Sequence, residues 1–204
     1  MSDTLTLYGF GVNDRSGKVR WLVHELGIPL DDQRIKPGDH YKPPYTELNP
    51  YGMVPTVQWR GQTMIESTAT CTFLAEQFPD AGIVVQPGEE ARYDYLKWVA
   101  LFAETLEAKL VERLLAQYEM LPPAFLETTK NALDRRFPVM VSQLPESGFL
   151  VADRFTLADI EASYSLRLAI RAGRISLDEV GGYLRPLMER PAAKASGFFS
   201  AIEE

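Results

Sequence analysis

Three short stretches in the first seventy residues carry groups that could do chemistry. The first is Asn49-Pro50-Tyr51-Gly52-Met53-Val54-Pro55. Two prolines and a glycine cluster just ahead of a strand, and a cis Val54–Pro55 peptide would fold the chain sharply at the strand entry. Such a fold turns the backbone N–H and C=O of Val54 outward, as an edge that an extended peptide can pair with. The second is Glu66-Ser67, at a strand-to-helix junction. Ser67 and the amides after it stand at a helix N-terminus, whose unpaired N–H groups and partial positive charge suit a carboxylate. Glu66 beside it could hold an ammonium, so the pair fits the zwitterionic head of an α-amino acid. The third is the turn GVNDRSG from Gly11 to Gly17, with Asn13, Arg15 and Ser16 as donors. Each stretch also has a plainer reading: a proline-rich loop, Ser67 as an ordinary helix cap, and capping of the next helix by Asn13 or Asp14.

The elements that must position these groups are visible in the hydrophobic pattern. Thr4 to Tyr8 alternates as a strand. Val19, Leu22, Val23 and Leu26 give one apolar helix face, stopped by Gly27 and Pro29. A short strand is expected around Gln33 to Lys36. Thr56–Trp59 and Thr63–Ile65 flank Arg60-Gly61 as a hairpin, and a helix follows from Ser67, as its N-cap, to about Phe78. The order β, α, β, loop, β-β, α predicts a small mixed sheet with helices on it. From residue 89 the pattern is purely helical. Tyr95, Val99, Phe102, Leu106, Leu110 and Leu114 mark one long amphipathic helix ending near Leu121-Pro122-Pro123, and a further helix covers Phe125 to Leu144 with a kink at Pro138. Thr156 and Asp159 form a capping box, with Phe155 and Ile160 as its hydrophobic staple, for a helix to about Arg171. Gly181-Gly182 and Pro191 are expected to punctuate two shorter helices. Ile83 to Gly88 reads as the linker, so the predicted domains are 1–82 and 89–204.

The chain has 204 residues, 46% hydrophobic and 24% charged, with a net charge of -7. That balance fits a globular protein and argues against nucleic acid as the main partner. No apolar run approaches the ~20 residues of a membrane helix, and Met1 to Phe10 shows no signal-peptide pattern. A cytoplasmic protein with no membrane partner is expected. One cysteine, Cys71, excludes an internal disulfide, and with His24 and His40 as the only histidines no metal site is expected. Cys71 reads as a buried helical residue and His24 as a surface one. Glu104, Glu107 and Glu112 read as a solvated helix face.

Four pieces in order, TLTLYGF…SGKVRWLVHELGIP, NPYGMVP, MIESTAT and FLVADRFTLADI, carry a resemblance over essentially the whole chain. The sequence resembles the cytosolic glutathione transferase superfamily. The resemblance implies an α/β plus all-α fold: an N-terminal thioredoxin-like, glutathione-binding domain followed by an all-helical C-terminal domain. It implies that Pro55 is cis, that Val54 pairs with the cysteinyl backbone of glutathione, and that Glu66 and Ser67 hold its γ-glutamyl group. His40 and Lys42 are placed to meet the glycyl carboxylate. Met53 stands where many members have a Gln or Lys contact, so a side-chain hydrogen bond is lost there and its backbone is left to serve glutathione.

The departure lies at the turn. Where many members have a Ser, Tyr or Cys that stabilises the glutathione thiolate, the serine-type position falls on Asn13. Asn13 and Ser16 are the expected catalytic pair, with Arg15 adding positive charge. The tyrosine-type alternative, Tyr8, reads as packed in its strand. The implied activity is that of a glutathione transferase in detoxification. Reduced glutathione is its co-substrate, and it has no prosthetic group. The second substrate is a small hydrophobic electrophile expected between the domains, near Trp98, Phe102 or Tyr118. A homodimer is implied as well. Two alternatives keep the fold: a glutathione-dependent disulfide or peroxide reductase, and a non-catalytic glutathione-binding protein.

Overall fold

The computed structural model describes residues 3–202. In chain order it contains β1 Leu5–Gly9, α1 Ser16–Glu25, β2 Leu30–Arg34, a 3-10 turn at Asp39–Tyr41, α2 Tyr45–Leu48, β3 Thr56–Trp59, β4 Gln62–Ile65 and α3 Ser67–Glu76. These are followed by α4 Arg92–Ala100, a π-helical stretch Leu101–Glu107, α5 Ala108–Gln117, α6 Ala124–Val141, α7 Leu157–Arg171, α8 Leu177–Met188 and α9 Pro191–Ser196. The chain divides into two compact units, Met1–Val84 with Arg190–Ser200, and Val85–Glu189 with Ala201–Glu204. The division falls inside the predicted linker, yet Ile83, Val84 and Val85 are all buried. The first unit also takes in the α9 segment, which the sequence reading put with the helices.

The first unit holds a thioredoxin-like mixed sheet of order β2-β1-β3-β4. β1 runs parallel to β2 and antiparallel to β3, and β4 is antiparallel to β3. The period-2 pattern does this work: Leu5 and Leu7 of β1 and Val57 of β3 are fully buried. Arg60 and Gly61 both take positive φ, the geometry of a tight two-residue hairpin. β2 begins at Leu30, three residues earlier than expected. It is an edge strand, LDDQR, that buries neither face, so it carries no alternation to read. Of the predicted apolar face of α1, Val19, Leu22 and Val23 are fully buried, while Leu26 is the half-buried C-cap. Trp21 is also fully buried, because α9 and the residues after it pack on the other side: the Trp21 ring lies 4.8 Å from Phe198 and 5.3 Å from Phe199. Arg190 closes this contact with two hydrogen bonds to the Glu25 carboxylate, at 2.7 and 2.8 Å.

The second unit is helical. The predicted long helix is present as α4, the π-helical stretch and α5, and Tyr95, Phe102, Leu106, Leu110 and Leu114 are buried along it. A π-helical stretch displaces backbone carbonyls from the usual ladder. Here Ser165 of α7 donates to the Phe102 carbonyl at 3.1 Å. Glu107 departs from the solvated face predicted for it, being 3% exposed within that stretch.

The capping box of α7 forms. Asp159 Oδ2 accepts from the Thr156 N–H at 2.8 Å, and Oδ1 accepts from the Leu150 N–H at 3.0 Å and the Tyr183 hydroxyl at 2.8 Å. Gly181-Gly182 does not end a helix but lies within α8. A side chain at Gly182 would put its Cβ 2.5 Å from the Glu146 carbonyl, so close backbone approach explains the glycine.

Candidate functional site

The strand register brings the three stretches together. Tyr8 of β1 pairs with Thr56 of β3, and Thr56 pairs with Ile65 of β4. The residues that follow β1, precede β3 and follow β4 therefore leave the same end of three adjacent strands. These are the turn holding Asn13, the Val54–Pro55 loop and the Glu66–Ser67 junction.

The Val54–Pro55 peptide is cis. Behind it lies a buried polar network that the sequence reading missed. Asn49 Nδ2 donates to the Met53 carbonyl at 2.9 Å and to Thr56 Oγ1 at 3.0 Å, and Asn49 Oδ1 accepts from the Tyr51 N–H. The Tyr45 hydroxyl donates to the same Met53 carbonyl at 2.6 Å and lies 2.7 Å from Thr56 Oγ1. Burial pushes the Tyr45 phenol above its ordinary range, while hydrogen bonds from Thr56 and Asn49 act the other way. Met53 is thus held by its carbonyl, with its side chain exposed. Its neighbour Val54 makes no backbone hydrogen bond among the described residues. The only advance signal was the Asx-type pattern of Asn49, whose side chain accepts two residues on.

At the β4–α3 junction Glu66, not Ser67, is the N-cap residue, and Ser67 is the first residue of the helix. Glu66 takes φ +66°, a region costly for a residue with a Cβ and concentrated at ligand-binding sites. Its carboxylate is exposed and forms no ion pair among the described residues. The Ser67 hydroxyl likewise has no hydrogen-bond partner among them, so the hydroxyl expected to cap the helix is not used that way.

The β1–α1 turn is organised by Asp14, the capping alternative weighed for this stretch. Its Oδ2 accepts from the Phe10 and Gly11 N–H groups at 3.0 and 2.9 Å, and its Oδ1 from the Ser16 N–H at 2.7 Å. The next amides of α1 are taken as well: Gly17 donates to the Asp14 carbonyl and Lys18 to the Arg15 carbonyl. Ser16 is 0% exposed, and its hydroxyl donates to the Gly11 carbonyl at 2.9 Å. This corrects the pairing of Ser16 with Asn13, since a sealed hydroxyl whose proton is already given does not reach a ligand. Gly11 O also accepts from Arg20, whose guanidinium is paired in two places with Asp32. Asn13 remains exposed, and neither its N–H nor its side chain is hydrogen-bonded among the described residues. Arg15 sits half-buried just before α1. Tyr8 is in its strand as expected, donating to Gln58.

His40 reaches this cluster from the 3-10 turn. Its ring lies 4.8 Å from Phe10 and 3.8 Å from Tyr41, and its Nδ1 accepts from the Gly38 N–H. Gly52 is packed under it: a Cβ there would lie 2.9 Å from Tyr41 and 3.0 Å from the His40 carbonyl. Lys42 follows, exposed and without an ion pair among the described residues.

Cys71 is fully buried and His24 is exposed on α1. Trp98 and Phe102 stack on each other at 5.6 Å inside the helical core, while Tyr118 is exposed.

Residues 15–77 match the family model of the glutathione S-transferase N-terminal domain. Glutathione S-transferase GstA of Escherichia coli O157:H7 is 24% identical over 179 residues, 86% of this chain and 84% of that protein. Glutathione S-transferase F6 of Arabidopsis thaliana is 23% identical over 205 residues, 93% and 97% of the two chains. Ure2p in complex with glutathione superposes with a TM-score of 0.81 at 20% identity, over 94% of this chain and 97% of that one. Glutathione transferase F7 from Populus trichocarpa gives 0.80 at 17% identity, over 98% and 100%. The structures share the fold, a thioredoxin-like sheet with its helices and a mostly helical second region. The matched family model and the curated relatives point to one superfamily, that of the cytosolic glutathione transferases, and the solved structures share the fold.

Proposed function

We propose that this chain is a glutathione transferase that binds reduced glutathione on its first unit and readies the thiol to attack a small, largely apolar electrophile. The observation that carries the reading is the convergence, at one end of the sheet, of groups with no partner of their own: the Val54 backbone, the Glu66 carboxylate with the Ser67 hydroxyl, and Asn13. In this reading the cysteinyl backbone pairs with Val54 as an added strand-like segment. Ser67 and the start of α3 take the γ-glutamyl carboxylate, and Glu66 takes its ammonium. His40 and Lys42 meet the glycyl carboxylate, and Arg15 adds positive charge at the turn. The sulfur then lies against Asn13. A free thiol has a pKa of about 8.5, and lowering it two units takes roughly 2.7 kcal/mol. One hydrogen bond to a charged acceptor is worth about 1.5–3 kcal/mol, so Asn13 is of the right size for the task. The protein works as a homodimer without a prosthetic group.

The test is a glutathione titration in which bound thiolate is followed by ultraviolet difference absorbance against pH. The wild type is expected to bind with a thiol pKa well below 8.5. Asn13→Ala should raise that value by about one to two units. Ser67→Ala should weaken binding roughly tenfold and leave the thiol where it was. No binding by the wild type defeats the proposal. Binding with an unshifted thiol favours a second reading, a glutathione-binding protein without turnover. That reading draws on the sealed Ser16, which leaves the turn without an exposed hydroxyl.

A further inference from the structure

Asp14 is an unusual neighbour for a group meant to stabilise an anion. Its carboxylate follows Asn13 directly in the chain and is bound by three main-chain amides. Among the described residues no cation pairs with it. The α1 amides that could have faced a sulfur are consumed by Asp14 and by the Asp14 and Arg15 carbonyls. The position that a helix N-terminus offers to an anion is therefore occupied by the chain's own.

We propose that Asp14 is a positioning residue that sets the ionisation of the bound thiol: it shapes the turn that presents Asn13, and its charge opposes the thiolate that Asn13 stabilises. The proposal rests on the glutathione reading above. A carboxylate on the residue next to the donor belongs to the donor's immediate surroundings, consecutive Cα atoms being about 3.8 Å apart. At that range like charges interact measurably at a partly buried site. Burial is what chiefly raises the Tyr45 phenol, with the Asp14 charge adding a smaller push in the same direction, and Tyr45 holds the carbonyl just before Val54.

The other charged and titratable groups around the turn do not duplicate this. Arg20 is balanced by Asp32, and Arg34 lies over Gly11 within 3.8 Å of the same Asp32. Lys18 reaches Thr68 at 3.5 Å. Tyr8 donates to Gln58, and His40 packs on Phe10. Glu66 follows β4, two strands from β1 in the sheet, and Arg15 follows Asp14 as the cation nearest in sequence.

The experiment measures the thiol pKa of bound glutathione in wild type, Asp14→Asn and Asp14→Glu, together with glutathione affinity. Asp14→Asn is expected to lower the bound thiol pKa by about one unit, a roughly tenfold larger thiolate fraction on the acid side. Asp14→Glu keeps the charge while disturbing the turn, so its thiol should stay near the wild-type value. Equal shifts in both variants mean that the turn's shape alone matters, and overturn the proposal. An unchanged or raised value in Asp14→Asn overturns it too. Should Asp14→Asn not fold, the wild type decides. Raising ionic strength screens the repulsion and should lower the bound thiol pKa, whereas a rise would show that the surrounding cations dominate. Failure of wild-type binding is a separate result, and it defeats the glutathione reading rather than this one.

Discussion

Replacing Asp159 with alanine is expected to cost about 3–5 kcal/mol of stability and to lower the melting temperature by roughly 10 °C. The carboxylate is fully buried and serves the Thr156 N–H, the Leu150 N–H and the Tyr183 hydroxyl at once. Truncation strands three donors, two of them in fully buried hydrogen bonds and the Leu150 N–H in a part-buried one, and each stranded buried donor costs about 1–3 kcal/mol. Burial pushes the Asp159 carboxyl above its ordinary range, against the hydrogen bonds that hold it down. Burial and the Asp159 charge both raise the Tyr183 phenol, so its hydroxyl stays a donor. Because the folded value of Asp159 lies above the unfolded one, the group's contribution is fullest below the ordinary carboxylate range and declines as pH rises through the folded value. The gap between wild type and Asp159→Ala should accordingly narrow from acid to neutral pH. Urea unfolding at several pH values measures both effects. A loss under about 1 kcal/mol would mean that the three donors find other partners.

Asn49→Ala is the second large effect, and it links stability to the site. Asn49 is fully buried and makes hydrogen bonds to Met53, Thr56 and Tyr51. Removing them should cost about 2–4 kcal/mol. Tyr45 alone would then hold the Met53 carbonyl, and the outward edge at Val54 would lose its fixed direction. Glutathione affinity should fall by about tenfold or more, equivalent to 1.4 kcal/mol or more of lost preorganisation. Calorimetric titration beside thermal unfolding separates the two consequences. Weakened stability with unchanged affinity would show that Val54 does not depend on this network.

What could be read from the chain was local chemistry. Leu5 and Leu7 alternate because one face of β1 is core, Arg60-Gly61 sits where a tight hairpin needs positive φ, and Thr156 with Asp159 spells a capping box that forms. The three candidate stretches were legible for the same reason, each being a few contiguous residues. What escaped depends on partners distant in sequence. Trp21 is buried by Phe198 and Phe199, nearly 180 residues later, so no helical period could announce it. Ser16 looked available because the turn is polar, and only the fold shows its hydroxyl sealed against Gly11. Ser67 looked like a cap, yet the chain turns one residue earlier at Glu66. Gly181-Gly182 looked like a break until the Glu146 carbonyl gave Gly182 a reason to lie inside a helix.

The return of Arg190–Ser200 to the first unit has a consequence for how the protein is made. Trp21 emerges from the ribosome well before the aromatic wall that covers it and the Arg190 that ties down Glu25, which follow it by about 170 residues or more. The sheet that carries the candidate site therefore waits on the segment Arg190–Ser200, made long after it, to close its core. Damage or editing near residue 195 acts on that sheet, and residues 1–84 cut out as a module would leave an open tryptophan face where the intact molecule has a packed one.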